Sequence, residues 1–122
     1  MLTVLGRSNP PMGLTEHHKL DLRNTDLRGA EFWDAHLEGT DFSGAHLEDA
    51  KLWGAVLRHA KLDTACLAGA NLRAAKLQGA SLEETNITGV IFNSETEWPS
   101  GFDAVGRGAV PWQALRASVP PT

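Results

Sequence analysis

Between residues 20 and 94 the chain repeats every five residues without interruption. The blocks read LDLRN, TDLRG, AEFWD, AHLEG, TDFSG, AHLED, AKLWG, AVLRH, AKLDT, ACLAG, ANLRA, AKLQG, ASLEE, TNITG and VIFNS. These 15 blocks occupy 75 of the 122 residues. A fixed period sets the architecture ahead of any local propensity, because each short unit must bury its apolar face against its neighbours.

The five positions differ in kind. The third, or centre, residue is Leu in 11 blocks, Phe in three and Ile in one. The first is Ala in ten blocks and Thr in three, with Leu20 and Val90 at the two ends. The second is mostly polar, as at Asp21, Asp26, Glu31, His36 and Asp41. The fifth is Gly seven times and Asn, Asp, Ser or Thr five times; His59, Ala74 and Glu84 depart from this.

A helix has no use for this order. Five residues advance it about 140° beyond a full circle, so the Leu column would wind around the axis and bury no single face. A three-residue strand uses it directly, with the first and third side chains inward and the second outward. The fifth residue then turns a corner. The expected core is the centre column Leu22, Leu27, Phe32, Leu37, Phe42, Leu47, Leu52, Leu57, Leu62, Leu67, Leu72, Leu77, Leu82, Ile87 and Phe92.

Tandem A(D/N)LXX blocks resemble the pentapeptide repeat family, over all of residues 20–94. The resemblance implies an all-β fold, a right-handed quadrilateral β-helix with four blocks per coil and about four coils. At a strand spacing of ~4.8 Å the repeat body would stand roughly 18 Å tall. The expected organisation is a lead-in over 1–19, the solenoid over 20–94 and a C-terminal cap over 95–122. The start of that last segment, TEWPSGF, resembles the tail that follows the final coil in bacterial members. Trp98 and Phe102 are the candidates to cover the open core. Glu95 and Glu97 are expected to discourage further pairing, and Pro111 to start a short helix carrying Trp112, Ala114 and Leu115.

Stacking makes residues 20 apart neighbours in one column. One column is Asp26, His46, Cys66 and Asn86, which has the residue types of a nucleophilic triad. On a flat wall, with parallel side chains and no pocket, the plainer reading is a row of solvated residues. His17 and His18 are adjacent, so an extended chain points them apart, and no third metal ligand is near. No cofactor motif appears. A second column, Trp33, Trp53, Arg73 and Asn93, combines the residue types of interface hot spots, with stacked indoles and a cation–π contact expected. The competing reading is a ladder that stabilises the corner.

The repeat body carries 11 acidic and seven basic residues. Direct nucleic-acid binding is disfavoured by that sign. Acidic residues concentrate on one face, with Asp41, Asp63, Glu83 and Glu84 as the candidate ridge. The resemblance implies a protein partner, and some family members bind DNA gyrase as duplex mimics. About 18 Å of B-DNA carries roughly ten charges, against a net −4 here. The leading expectation is therefore a non-catalytic interaction scaffold, with a gyrase or topoisomerase modulator as the alternative. The protein would be cytoplasmic, without a membrane span, and either a monomer or an end-to-end dimer. Cys66 is the single cysteine, so no internal disulfide forms.

Overall fold

The computed structural model describes residues 20–113. The 1–19 lead-in, with His17 and His18, lies outside the described residues, as do Ala114 and Leu115 of the expected helix. Within them, each second-position residue pairs in parallel with the one 20 residues on. Asp21 meets Asp41, Asp26 meets His46, Glu31 meets Lys51, and His36 meets Val56, and the series repeats upward. Four blocks therefore make one coil, and each block is a rung of one of four faces.

Each rung is tied to the next by backbone hydrogen bonds. The Asp41 N–H donates to the Leu20 carbonyl at 3.0 Å, and the Leu22 N–H to the Asp41 carbonyl at 2.8 Å. The Asn24 N–H donates to the Ser43 carbonyl at 2.9 Å. The second residue thus turns both its N–H and its carbonyl down, while the centre and fifth residues send their N–H groups up. This accounts for the backbone polar groups of the short strand, which must be paired once they leave water.

The alternation of the sequence becomes a packed interior. Ala35, Ala50, Ala55, Ala60 and Ala70 are fully buried, as are Phe32, Phe42, Leu47, Leu62, Leu67, Leu72 and Leu77. Small first residues leave room for the large centres to meet. Phe32 and Phe42, two blocks apart, form an edge-to-face pair with ring centroids 6.4 Å apart and planes at 66°. Such a pair adds about 0.5–1.5 kcal/mol beyond its buried area. Leu22 and Phe92 are only half-buried, because each sits in an end rung of the repeat body and packs against the core from one side. Two of the first-position Thr residues hand their hydroxyl to a carbonyl, Thr25 to that of Leu22 at 2.5 Å. Thr85 Oγ1 donates to the Leu62 carbonyl at 2.7 Å.

From residue 24 to residue 89 the fifth position is left-handed whatever residue fills it; Ser94, in the last block, is the exception. Asn24, Asp34, Asp49, His59, Thr64, Ala74 and Glu84 all have φ between 54° and 62°. His59, Ala74 and Glu84 are therefore the same corner with a less suited residue, held by the rungs on either side. Several corner glycines also sit directly over a larger corner residue of the coil below. A Cβ on Gly54 would collide with Asp34 Oδ1, which leans over it from the coil below. Glycine at residue 54 provides space as well as its permitted φ of 71°.

Rung formation continues past residue 94. Glu97 pairs with Lys76, so the expectation that it would discourage pairing is corrected. One extra residue enters the corner between Asn93 and Thr96. The Asn93 side chain takes over the bonding there: its Oδ1 accepts the Ala74 and Glu95 N–H groups, each at 3.0 Å. Thr96 then occupies a buried first position, its hydroxyl donating to the Leu72 carbonyl at 2.8 Å. Trp98 follows as a centre residue, edge-on to Phe92 at 5.5 Å and stacked on Phe102 at 5.3 Å. Both Trp98 and Phe102 pack against the core.

The chain then crosses the end of the stack through a 3-10 turn, Val105–Arg107. Asp103 Oδ1 accepts the Gly106 N–H at 2.9 Å and holds that turn. The chain rejoins the stack as strand β2 (Val110–Pro111), parallel to β1 (Ile91–Phe92). Pro111 is paired opposite Phe92, and helical backbone follows it directly at Trp112 and Gln113. A proline is tolerated at an outermost strand, where its missing N–H leaves no ladder bond unmade.

Candidate functional site

The third face carries the aromatic column. Its second positions are Glu31, Lys51, Asn71, Ile91 and, through β2, Val110. Its fourth positions are Trp33, Trp53, Arg73 and Asn93, with Trp112 directly after the paired Pro111. The Arg73 guanidinium lies 4.7 Å from the centre of the Trp53 ring and 4.3 Å from that of Trp112. Its Nε also donates to Asn71 Oδ1 at 3.2 Å. Arg73 is thus clamped between two indoles, each contact worth about 0.5–1 kcal/mol at such exposure.

The expected contact between Trp33 and Trp53 is not formed: among the described residues neither ring pairs with another aromatic side chain. Trp33 is 41% exposed and Trp53 50%. The column divides into a held upper part, Trp53–Arg73–Trp112, and a lone exposed indole at Trp33. The part played by Trp112 was missed in the sequence because its spacing is not 20. The shortcut across the end of the stack alters the register, and no local signal reveals that.

The acidic residues of the first two faces divide into paired and free groups. Arg23 Nε and Nη2 each bond Asp21 at 2.8 Å, and Arg28 does the same to Asp26 at 2.8 and 2.7 Å. These contacts hold both carboxyls down at about 2. Asp41 accepts the Ser43 N–H at 3.0 Å, and Ser43 holds its pKa below the ordinary value, with a lesser pull from Arg23. Asp63 joins two rungs, accepting the Ser81 hydroxyl and the Glu83 N–H. Glu83 and Glu84 are exposed and, among the described residues, have no ion-pair partner.

The Asp26, His46, Cys66 and Asn86 column exists as a row of bridge partners. Its members turn to different neighbours. Asp26 binds Arg28, His46 Nδ1 faces Glu48 at 3.5 Å, and the Cys66 sulfur accepts from Asn86 Nδ2 at 3.6 Å. A hydrogen bond from its own backbone lowers the Glu48 pKa, with smaller help from Cys66 and His46. No relay from carboxylate through imidazole to thiol is assembled. Among the described residues no group of His, Cys, Asp or Glu could hold a metal ion, and no helix is long and apolar enough to cross a membrane.

A stack of five-residue rungs with flat outer walls defines a β-helical repeat protein. The family model for pentapeptide repeats matches residues 19–44, 40–73 and 65–94, and the chain belongs to that family. It is similar to the crystal structure of a pentapeptide repeat protein from Nostoc Pcc 7120. The two are 30% identical over 76% of this chain and 77% of the other, with a TM-score of 0.75. A pentapeptide repeat protein of the Arabidopsis thaliana thylakoid lumen is 26% identical over 66% of this chain and 59% of its own, with a TM-score of 0.52. QnrB1, a plasmid-mediated fluoroquinolone resistance protein, shares the fold at 18% identity over 80% of this chain and 60% of its own, with a TM-score of 0.52. No curated protein matches the chain.

Proposed function

We propose that the protein is a non-catalytic interaction scaffold that binds another protein through the third face of its solenoid. The solenoid is a right-handed, four-sided β-helix of about four coils, with Trp98, Phe102 and the chain on to residue 113 serving as its lid. The observation that carries the reading is the pair of exposed indoles. Trp33 and Trp53 are the large apolar side chains left in water on a face whose other groups are Glu31, Lys51 and Asn71. Trp, with Tyr and Arg, is enriched at the energetic centre of interfaces.

The alternative, a partial duplex mimic acting on gyrase or a topoisomerase, draws on the fold shared with QnrB1 and on Asp41, Asp63, Glu83 and Glu84. It asks for a row of free negative charge. Arg23 and Arg28 neutralise Asp21 and Asp26 instead, and Asp63 spends its oxygen on Ser81 and Glu83. A gyrase supercoiling assay separates the two readings. The scaffold reading expects no inhibition at stoichiometric protein. Inhibition that added salt weakens, and that Asp63→Lys with Glu83→Lys abolishes, would establish mimicry in its place.

A further inference from the structure

The chain closes its end by a shortcut, and the shortcut leaves one rung unbuilt. From Ala80 to Val90, first positions two blocks apart, the chain uses ten residues; from Gly101, one block after Thr96, to Ala109 above Val90 it makes the corresponding passage in eight. The upper edge of the second face is met, with the Gly89 N–H donating to the Gly108 carbonyl at 2.8 Å. The third face is met by β2, with the Val110 N–H donating to the Val90 carbonyl at 2.7 Å. The first face is passed by. In the coil below, Leu62 and Thr64 donate upward to the Ser81 and Glu83 carbonyls at 2.8 and 2.9 Å, and the Ala60 carbonyl accepts from Ser81 at 2.9 Å. The equivalent groups one coil higher are the Leu82 and Glu84 N–H groups and the Ala80 carbonyl. Among the described residues none of these three has a partner.

That edge is the floor of a cleft of about 460 Å³. Its walls are Pro99, Gly101 and Phe102 on one side and Arg107 on the other. Arg107 is turned to the corner, with Nη2 at 3.4 Å from both the Leu82 and Thr85 carbonyls and its guanidinium over the Phe102 ring at 5.1 Å. The outer lip carries Glu83 and Glu84, with Asp63 one coil below Glu83.

We infer that this cleft takes an extended, basic segment of a partner polypeptide, added in parallel as the missing rung above Ser81, Leu82 and Glu83. Three backbone hydrogen bonds are ready for it, in the geometry already used between every pair of coils, as in other strand-addition complexes. Its inward residue would rest on Leu82 and Phe102 and is apolar. The residue after that stands one rung above Glu83 and beside Glu84, where a Lys or Arg complements the two carboxylates. The cleft is separate from the Trp33 surface, so either assignment stands or falls without the other.

The test uses the full chain and a fluorescein-labelled Ala-Lys-Leu-Lys-Gly peptide, with a second peptide carrying Glu in place of both Lys. Fluorescence anisotropy should show saturable binding of the basic peptide, at least tenfold tighter than the acidic one. Glu83→Gln combined with Glu84→Gln should weaken it at least fivefold. Hydrogen exchange at the Leu82 and Glu84 amides should be fast in the free protein and slow at saturation. Three results would overturn the inference: no saturation at millimolar peptide, equal affinity for the two peptides, or Leu82 and Glu84 amides already protected in the free protein. The last would mean that the chain covers this edge itself.

Discussion

Lys76 and Glu97 face each other as rung partners across 21 residues, one more than separates each pair in the coils below. Asn93 makes that extra residue possible by lending its side-chain oxygen to Ala74 and Glu95. Asn93→Ala should therefore leave the half-buried Ala74 N–H without an acceptor and loosen the corner that positions Trp98. The expected loss is about 1–3 kcal/mol, measured by urea denaturation. An unchanged midpoint would mean that the bulged corner does not hold the end of the stack.

Leu57 occupies the middle of the core and is 1% exposed. Leu57→Ala should cost about 2–5 kcal/mol, since the rungs above and below leave little room to collapse into the cavity. The same denaturation series reads it. A loss under about 1 kcal/mol would show that the centre column is not the core.

Ala74 and Gly54 are consecutive corners of one column, at φ 61° and 71°. Ala74→Gly removes a left-handed alanine and should raise stability by about 1 kcal/mol. Gly54→Ala should lower it by more than that, because its Cβ meets Asp34 Oδ1 in addition to the backbone cost. Melting temperatures of the two variants should move in opposite directions.

The Asp21–Arg23 and Asp26–Arg28 pairs set an acid limb. Both carboxyls are held at about 2 in the folded chain, by Arg23 and Arg28, against about 3.9 when unfolded. A carboxyl depressed on folding adds stability above its unfolded pKa and loses it as pH falls through the folded one. The melting-temperature gap between the native chain and an Asp21→Asn, Asp26→Asn variant should be present near neutral pH. It should shrink between about pH 4 and pH 2 and be small in high salt, because both pairs are exposed.

The period and the in-out alternation made most of this structure legible. Every centre residue from Leu27 to Ile87 is buried, and the bridges run at the 20-residue spacing that four blocks per coil require. The end of the stack was harder to read. Thr96, Glu97 and Trp98 repeat the first, second and centre types, but one inserted residue breaks the count, and a strict five-residue frame stops at residue 94. Trp112 reaches Arg73 only because the end-crossing segment is short, a property of tertiary path and not of local sequence. Asp21 and Arg23 are joined by two parallel hydrogen bonds, a pairing that composition does not record.

The proposed binding through the third face rests on its exposed indoles, Trp33 and Trp53, and Trp33 is the one that can be removed without disturbing Arg73. The direct measurement is the affinity of a captured partner for the native chain, for Trp33→Ala, and for Asp63→Lys with Glu83→Lys. Trp33 supports no other aromatic ring, so its removal should change stability by less than about 0.5 kcal/mol. It should nonetheless cost at least 2 kcal/mol of binding, about a 30-fold loss. The charge reversals should leave affinity within about threefold of the native value. A partner that binds Trp33→Ala as tightly as the native chain, and is lost on reversing Asp63 and Glu83, would contradict the account.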